Sequence, residues 1–274
     1  MVEIVKIDEL KRGTPTGSTS KGDQPKWADG TYWYKADYMG YEGLSEVLVS
    51  VMLQHSNAQS LCPYVRYTPV KIRKKDKLVN GCKSLNFKNP QDSIVTLEKL
   101  HRMYYGEGLA QKLGTYTEVA DRILYTADFV ADKTGLDQFG DYLSTIIALD
   151  AVFLNEDRHT NNLAVVFNEE TEKYRLCPLF DFGLSFLSDM NDYPMGQDTY
   201  SMIPRVQAKP FDDSFIEQVN GVNELWGIKL TFNVSQHEIF DAFKLFDGMY
   251  DEAILRRVEN ILREQMQTYT FLFK

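Results

Sequence analysis

Residues 155–185 decide the fold: they read Asn155-Glu-Asp-Arg-His-Thr-Asn-Asn162 at one end and Leu179-Phe-Asp-Phe-Gly-Leu-Ser185 at the other. Between the two ends, a polar turn separates two apolar runs, 163–167 and 174–180. Apolar runs of this length on either side of a turn are typical of a β-hairpin. The stretch therefore predicts a polar loop, then a hairpin, and then an acidic turn.

The polar residues of this stretch have the spacing of a phosphoryl-transfer site. Transfer to a hydroxyl needs a carboxylate that takes up the hydroxyl proton, with an Asn and a second carboxylate that hold Mg²⁺ on the phosphates. Asp157 is followed five positions later by Asn162, and then by an Asp-Phe-Gly triplet at Asp181, as in protein kinases. The hairpin would bring Asn162 and Asp181 side by side. Taken singly these residues are turn formers, but their combination predicts a kinase site.

His159 lies two residues after Asp157 and allows two interpretations. Its imidazole can contact the γ-phosphate of a nucleotide, or it can hold the loop through hydrogen bonds, because histidine serves catalytic and structural roles alike. Both interpretations stay open at this point. The other histidines lack the spacing of metal ligands and are predicted to be packing or surface residues: His55, His101 and His237.

The composition of the 274-residue chain is ordinary for a globular protein, with 43% hydrophobic and 25% charged residues. Its formal net charge of −9 argues against direct binding of nucleic acid or of an anionic membrane, which favour a basic surface. The three cysteines form no C-x-x-C pair, so neither a disulfide framework nor a zinc site is expected. Early charged residues and the lack of a long apolar run predict a cytoplasmic protein, with a secreted effector role left open.

The first residues combine a predicted strand with a loop of small residues. Residues 2–10 alternate apolar and charged side chains, as in an edge strand. The run that follows includes Gly17-Ser18-Thr19-Ser20-Lys21-Gly22. Such a loop can wrap phosphates, because glycine allows close backbone approach and successive N–H groups bind an anion. Since the run matches neither common phosphate-loop pattern, a flexible linker is an equally good interpretation.

A predicted strand over residues 30–36 and a predicted helix over residues 44–53 carry a candidate nucleotide contact. In kinases, a strand lysine pairs with a glutamate of the next helix and is thereby directed toward the α- and β-phosphates. Lys35 and Glu46 have these positions. Glu42 competes for the pairing, but Glu46 lies inside the apolar helical pattern, where an unpaired carboxylate is costly. The alternative for Lys35 is a solvated residue at a strand end.

Two more strands are predicted at residues 63–71 and 78–87. The basic turn between them is either a solvated hairpin tip or a patch that binds a polar acceptor. Residues 83–90 then lead from the strands toward helical sequence. In a two-lobed kinase this is the place of the hinge, whose backbone groups contact adenine, and so Asn86 is a candidate for nucleotide binding.

From Asp92 onward the pattern predicts helices. Asp92-Ser93 and Thr117 are expected helix caps. Residues 136–154 are predicted to form an apolar helix that runs directly into the loop that begins at Asn155. A long loop is predicted over residues 188–210, and further helices are predicted over residues 211–219 and 235–267. This order predicts an α+β fold of the two-lobed protein-kinase type. Its β-rich lobe comprises residues 1–87 and its larger helical lobe residues 88–274, with ATP between them.

With these residues in view, the sequence resembles the HipA-like serine/threonine kinases, including their compact CtkA-type bacterial members, within the wider group shared with the phosphatidylinositol kinases. The resemblance covers nearly the whole chain. Its specific parts are residues 155–162 and 178–185, whereas Lys35, the helix of Glu46 and the hinge-like residues 84–87 support it more diffusely.

The resemblance implies a role for each matching residue. Asp157 would be the catalytic aspartate, Asn162 and Asp181 the magnesium ligands, Lys35 the ATP-phosphate lysine, and the loop from Gly17 to Gly22 the phosphate cover. It also suggests autophosphorylation in or directly before that loop, where the hydroxyls are those of Thr16, Ser18, Thr19 and Ser20. The resemblance also suggests a possible antitoxin-like regulatory protein as a partner. Such control is expected less here, because the 274 residues are predicted to leave no room for the extra N-terminal subdomain of the longer members.

Three functions fit these observations. The favoured one is an ATP- and Mg²⁺-dependent kinase that acts on Ser or Thr of a protein substrate. A lipid or small-molecule kinase would use the same stretch, but a membrane-facing version favours a basic segment after the Asp-Phe-Gly triplet. Residues 184–211 instead contain three aspartates against one arginine and one lysine. A nucleotide-binding pseudokinase with a regulatory role is the third, and the presence of all the charged groups argues against it.

Overall fold

Six strands from the first third of the chain form one sheet in the computed structural model, which describes residues 2–7 and 24–274 and the backbone of residues 11 and 12. In chain order the strands are β1 (Glu3–Lys6), β2 (Lys11–Arg12), β3 (Lys26–Ala28), β4 (Tyr32–Ala36), β5 (Tyr67–Lys74) and β6 (Lys77–Leu85). Across the sheet the order is β1-β5-β6-β4-β3-β2, with β1 parallel to β5 and the other neighbours antiparallel. The basic segment at Lys75 and Asp76 forms the exposed tip of the β5–β6 hairpin.

The helix α1 (Glu42–Gln54) follows β4 and is apolar on almost every side, which is the pattern of a helix surrounded by protein. The short helix α2 (Ala58–Leu61) comes next. Leu44, Leu48 and Met52 of α1 are fully buried in one hydrophobic cluster with the helices of the C-terminal part. The sheet has a separate and smaller cluster, which consists of Ile7, Trp27, Tyr34, Ala36, Val70 and Ile72. Although α1 lies between strands in sequence, it therefore packs in the larger core.

Two glycines allow α1 to approach the sheet closely. A Cβ atom on Gly43 would lie 2.7 Å from the Cα of Gly81 in β6, and a Cβ on Gly81 would lie 2.2 Å from the Lys35 carbonyl oxygen. Neither position has room for a side chain. This close contact sets α1 at the distance from β4 at which Glu46 and Lys35 can meet.

The C-terminal part contains a small antiparallel sheet and most of the helices. Its strands are β7 (Asp92–Thr96), β8 (Ala164–Asn168) and β9 (Lys173–Leu176), in that order across the sheet. The helices are α3 (Leu97–Tyr105), α4 (Leu109–Leu113), α5 (Val119–Thr134), α6 (Phe139–Phe153), α7 (Thr199–Met202), α8 (Phe215–Leu225), α9 (Gln236–Lys244) and α10 (Glu252–Thr268). The central helix α6 is buried along almost its whole length and leads directly into the loop of residues 155–162.

The expected helix cap at Asp92-Ser93 is wrong. These residues begin β7, which pairs with β8, and α3 starts only at Leu97. The Thr96 side chain caps α3 by accepting a hydrogen bond from Lys99 N at 3.2 Å. Pairing with a strand that lies about 70 residues further along the chain overrides the local helical pattern, as tertiary contacts often do.

Other expected boundaries also shift. Thr117 does not cap α5, because Glu118 occupies the cap position. The strand expected from residue 63 begins at Tyr67, since the Val65 N–H donates to the Leu179 carbonyl oxygen at 2.9 Å instead of joining the larger sheet. The helix expected at residues 211–219 starts after the cap residue Ser214. The helix expected at residues 235–267 is two helices, α9 and α10, separated by residues 245–251.

The architecture is α+β, with a sheet-rich N-terminal lobe and a larger helical C-terminal lobe, and the predicted fold class is confirmed. The lobe boundary predicted after residue 87 falls in the connection between β6 and β7. Within the described residues, no helix combines the length and the apolar character needed to cross a membrane.

Candidate active site

A cavity lies between the six-stranded sheet and the three-stranded sheet. Aromatic and aliphatic side chains form much of its wall, namely Trp33, Val65, Tyr67, Phe87, Ile94 and Phe180. Its polar members are Lys26, Lys35, Ser84, Asn86 and Lys88. An apolar slot with a few placed cationic and polar groups suits a flat, aromatic and negatively charged ligand.

Asn86 lies where the chain leaves β6, at the edge of this cavity. Its N–H donates to the Thr31 carbonyl oxygen at 2.8 Å, and its Oδ1 accepts a hydrogen bond from Lys88 N at 3.2 Å. Arg175 in β9 donates to the Phe87 carbonyl oxygen at 3.2 Å. The Asn86 side chain thus holds the turn of the connecting segment, and that segment forms one wall of the cavity.

Lys35, in β4, is held by two carboxylates. Its Nζ donates to Glu46 Oε1 in α1 and, at 2.7 Å, to Asp181 Oδ1. Glu46 Oε2 in turn accepts a hydrogen bond from the Phe182 N–H at 3.0 Å. The competing Glu42 instead accepts hydrogen bonds from the backbone N–H groups of residues 38–40. Lys35 and Glu46 therefore tie β4 and α1 to the Asp-Phe-Gly turn.

The charges of this group support each other. Burial alone would raise the pKa of Asp181, but the ammonium groups of Lys26 and Lys35 outweigh it and hold this pKa well below its ordinary value. Burial alone would lower the pKa of Lys35, but the carboxylates of Asp181 and Glu46 raise it well above its ordinary value. Asp181 and Lys35 are therefore both ionised at neutral pH.

Lys26 is a member of this group that the sequence analysis missed. It is the direct partner of Lys35 across β3 and β4, and its Nζ lies 3.9 Å from Asp181 Oδ2. Its only signal in the sequence is a position next to Trp27 before the predicted strand. Pairing two lysines on adjacent strands is not readable from a single sequence, because it depends on strand register.

The loop of residues 155–162 brings Asp157, Asn162 and His159 together. Asn162 Nδ2 donates to the Asp157 carbonyl oxygen at 2.7 Å and to Asp157 Oδ2 at 3.1 Å. Asp157 Oδ1 is buried and accepts no hydrogen bond from the described residues. Burial raises the pKa of Asp157 above its ordinary value. A carboxylate with a raised pKa and one unused oxygen is suited to accept a proton from a ligand.

The His159 ring does not hold the loop through hydrogen bonds within the described part of the chain. Both ring nitrogens are buried and have no hydrogen-bond partner there, and Nε2 lies 3.7 Å from Asp157 Oδ1. The backbone forms the turn instead, with His159 N donating to the Asp157 carbonyl oxygen at 2.8 Å and Asn162 N donating to the His159 carbonyl oxygen at 2.7 Å. Because backbone hydrogen bonds form the turn and no described residue bonds to the ring nitrogens, contact of the His159 ring with a ligand is the interpretation that the structure favours.

A buried ion pair, also missed in the sequence, supports this loop. Arg158 donates to both oxygens of Asp150 in α6, at 2.9 and 3.1 Å, and Asn155 Nδ2 donates to Asp150 Oδ1 at 2.7 Å. The Arg158 Nη1 donates to the carbonyl oxygens of Asn162 and Phe180, at 3.2 and 3.0 Å. One guanidinium group thus joins the residues that flank the hairpin, Asn162 before it and Phe180 next to Asp181.

The segment after the Asp-Phe-Gly turn is anchored to α1. The Tyr41 hydroxyl, which is completely buried, lies 2.8 Å from both the Phe186 and the Leu187 carbonyl oxygen. Phe186 and Leu187 have φ of 57° and 58°, a left-handed conformation that bulky residues rarely adopt. Ser45 Oγ donates to the Ser185 carbonyl oxygen at 3.1 Å. Such strain persists only where the surroundings hold it in place.

The structure thus brings two groups of predicted residues to one place. Lys35, Glu46 and Asp181 form the first, Asp157 and Asn162 form the second with His159, and Arg158 connects them. The charge of Asp181 also contributes to the raised pKa of Asp157. The candidate phosphate loop lies outside the described residues, with all of its members Gly17, Ser18, Thr19, Ser20 and Lys21.

The fold is similar to the crystal structure of a Helicobacter pylori proinflammatory kinase, CtkA, with a TM-score of 0.62. The two chains share 13% sequence identity, and the match covers 96% of this chain and 95% of that chain. The chain has a kinase-like fold. No family model matches the sequence, and no curated protein matches it. The wider grouping with HipA-like and phosphatidylinositol kinases stays a prediction.

Proposed function

We propose that the protein is an ATP- and Mg²⁺-dependent protein kinase that phosphorylates Ser or Thr. The observation that supports this most is that Lys35, Glu46 and Asp181 lie beside the Asp157–Asn162 loop, and that Lys35 also lines the cavity between the two sheets. Phosphoryl transfer depends mainly on positioning and electrostatic stabilisation, and these are the groups that kinases use for it.

The cavity fits a nucleotide. Its aromatic and aliphatic wall, with Trp33, Phe87 and Phe180, can enclose a purine ring, and Asn86 and Lys88 of the connecting segment line the same cavity. Lys35 lines the same cavity and carries a full positive charge for the phosphates. The base therefore lies toward the apolar wall and the phosphates toward Asp181.

The carboxylate oxygens of Asp181 and the amide oxygen of Asn162 are suited to bind Mg²⁺. The described residues contain no cluster of three or more His, Cys, Asp or Glu that could hold a metal ion by itself. Mg²⁺ sites in kinases typically use one or two protein ligands and complete their shell with phosphates and water. Asp181 offers an ionised carboxylate, and Asn162 directs its Nδ2 at Asp157, so that its Oδ1 remains for a cation. When bound, the ion would neutralise charge on the phosphates.

The chain's own residues account for the proton and for the geometry of transfer. Asp157 Oδ1 accepts the proton of the acceptor hydroxyl or orients it, and Asn162 and the backbone turn hold the carboxylate in place. Arg158 keeps this loop in register with the Asp-Phe-Gly turn. His159 Nε2, which lies 3.7 Å from Asp157 Oδ1, would contact the γ-phosphate of the bound nucleotide. A protein acceptor is favoured because the segment after the Asp-Phe-Gly turn lacks the basic excess of a lipid-binding surface.

A phosphoryl-transfer assay with labelled ATP and Mg²⁺ tests this function. The purified protein, alone and with a generic Ser/Thr acceptor such as myelin basic protein, should transfer the γ-phosphate, and phosphoamino-acid analysis should find phosphoserine or phosphothreonine. Vesicles that contain phosphoinositides, added in competition, should not take up the label. Binding of ATP without transfer to any acceptor would contradict the proposal and favour a pseudokinase. Label on lipid alone would favour a lipid kinase.

A further inference from the structure

Lys26 and Lys35 present two positive charges from one face of the sheet. They are direct partners across β3 and β4, so that their side chains leave the same face, and both line the cavity. Like charges directly opposite each other destabilise a sheet, and the arrangement therefore needs compensation. Asp181 provides it with one carboxylate oxygen toward each lysine, and Glu46 adds a contact to Lys35.

The two lysines are held very differently. Lys35 is buried and donates hydrogen bonds to Glu46 and Asp181. Lys26 has a side chain that is 24% exposed, and its Nζ lies 3.9 Å from Asp181 Oδ2, beyond hydrogen-bond distance. Within residues 24–274 this ammonium group is thus attracted to Asp181 without a hydrogen bond to it. Lys26 can turn toward another anion at little cost, whereas Lys35 would have to break two buried hydrogen bonds.

We propose that Lys26 is a second phosphate-binding residue, whose ammonium group leaves Asp181 and binds the terminal phosphates when ATP enters, while Lys35 stays paired with Glu46. This inference rests on the proposed function. Phosphate oxygens form short, charge-assisted hydrogen bonds with an ammonium group. The 3.9 Å contact between Lys26 Nζ and Asp181 Oδ2 is too long to be such a hydrogen bond. The departure of Lys26 also leaves Asp181 Oδ2 to a cation that arrives with the nucleotide.

The test compares nucleotides that differ only in the number of phosphates. Calorimetric titration of ATP, ADP and AMP, with Mg²⁺ and separately with EDTA, gives the dissociation constants of the parent and of Lys26→Met. Loss of one charge-assisted hydrogen bond weakens binding by about tenfold or more. We expect this change for ATP in both conditions, and a change of less than about twofold for AMP, because AMP lacks the phosphates that Lys26 reaches.

Matched lysine variants separate this contact from a general effect of charge. Lys88→Met removes a charge from the same cavity on the segment after β6, and should change ATP and AMP binding by similar factors. Lys83→Met removes a charge outside the cavity lining, where Lys83 pairs with Glu3, and should change neither. Lys26→Arg keeps the charge and should recover most of the affinity for ATP. Lys26→Gln serves in place of Lys26→Met if thermal unfolding shows that the methionine variant is not folded.

The outcomes distinguish the two proposals. If the parent binds ATP and transfers phosphate, but Lys26→Met binds ATP as tightly as the parent, the Lys26 inference alone is overturned. The same holds if Lys26→Met weakens ATP and AMP by equal factors, since Lys26 then acts on the cavity as a whole. If the parent binds no nucleotide, both the inference and the proposed function fail.

Discussion

Two buried carboxylates, seven positions apart, have opposite surroundings. Asp150, at the end of α6, receives hydrogen bonds on both oxygens from Arg158 and one from Asn155. Asp157, in the loop, accepts a hydrogen bond from Asn162 on Oδ2, whereas no described residue donates a hydrogen bond to Oδ1, which lies 3.7 Å from His159 Nε2. Burial raises the pKa of both. A carboxylate whose hydrogen bonds are complete supports the architecture, and one with an oxygen that accepts no hydrogen bond is available for chemistry.

The largest effect on stability should follow Asp150→Asn. The substitution removes the charge that compensates the buried Arg158, and such a loss typically costs about 3–5 kcal/mol in the free energy of unfolding. Urea denaturation measures it. The control is Asp141→Asn on the same helix, where the ion pair with Lys229 is exposed and worth about 0–1 kcal/mol. A double variant, Asp150→Asn with Arg158→Met, should recover part of the loss, and a double variant no more stable than Asp150→Asn would contradict this account.

Tyr41→Phe should have a smaller effect. It removes the hydroxyl that lies against the Phe186 and Leu187 carbonyl oxygens and leaves both buried without this donor, at a cost of about 1–3 kcal/mol. Because these carbonyls belong to the segment after the Asp-Phe-Gly turn, this segment should also become more sensitive to limited proteolysis. Tyr38→Phe, at a position that is 64% exposed, is the control and should change neither property. Equal proteolysis of the two variants would show that Tyr41 does not hold the segment.

The stability of the protein should depend on pH through a third carboxylate, that of Asp37. Burial and the neighbouring Glu42 raise the pKa of Asp37 to about 7, although Gly43 N and the Tyr250 hydroxyl donate to it. A raised pKa means that the folded state binds the proton more tightly than the unfolded state, so that this residue's contribution to stability falls as the pH rises from about 4 to about 7.

Asp37→Asn removes that titration. Between pH 5 and pH 8, the free energy of unfolding of the variant should therefore gain about 1 kcal/mol relative to the parent, a modest figure because the side chain is only half-buried. Urea denaturation at the two pH values measures the difference. Asp76→Asn at the exposed hairpin tip is the control. A relative stability that stays constant or falls would contradict the raised pKa of Asp37.

The smallest effect on stability is expected for Asp157→Asn. Because burial raises the pKa of Asp157, its ionised form opposes folding above about pH 4, and the neutral amide removes this cost. The free energy of unfolding at pH 8 should be unchanged or higher by less than about 1 kcal/mol. A loss comparable to that of Asp150→Asn would show that Asp157, too, is a structural residue.

The parts of the molecule that the sequence could predict are those whose signal is local. The fold class follows from strands that precede helices, and the residues of the loop 155–162 and of the Asp-Phe-Gly turn lie in one contiguous stretch. Lys35 and Glu46 could be predicted as a pair because they lie on a strand and on the helix that follows it. The pairing of Lys35 with Glu46 rather than Glu42 followed from the cost of an unpaired carboxylate in an apolar helix.

The missed parts depend on contacts between distant positions. Lys26 matters only through its register with Lys35 and its distance from Asp181, and Tyr41 matters through carbonyl groups about 145 residues away. Asp150 is a single carboxylate in an apolar helix, whose partner lies beyond the end of that helix. The local sequence predicts a helix cap at Asp92, but pairing with β8 outweighs the capping preference of aspartate. Local patterns do not contain such long-range pairings.

We propose that Asp157 acts on the acceptor hydroxyl rather than on the fold. Single-turnover transfer from labelled ATP, with parent and Asp157→Asn at a temperature where both are folded and at saturating ATP, tests it most directly. The claim predicts that Asp157→Asn binds ATP as the parent does but transfers the phosphoryl group more slowly by about 10²–10⁴-fold, the range of general acid–base catalysis. Transfer by Asp157→Asn within about tenfold of the parent rate would contradict it.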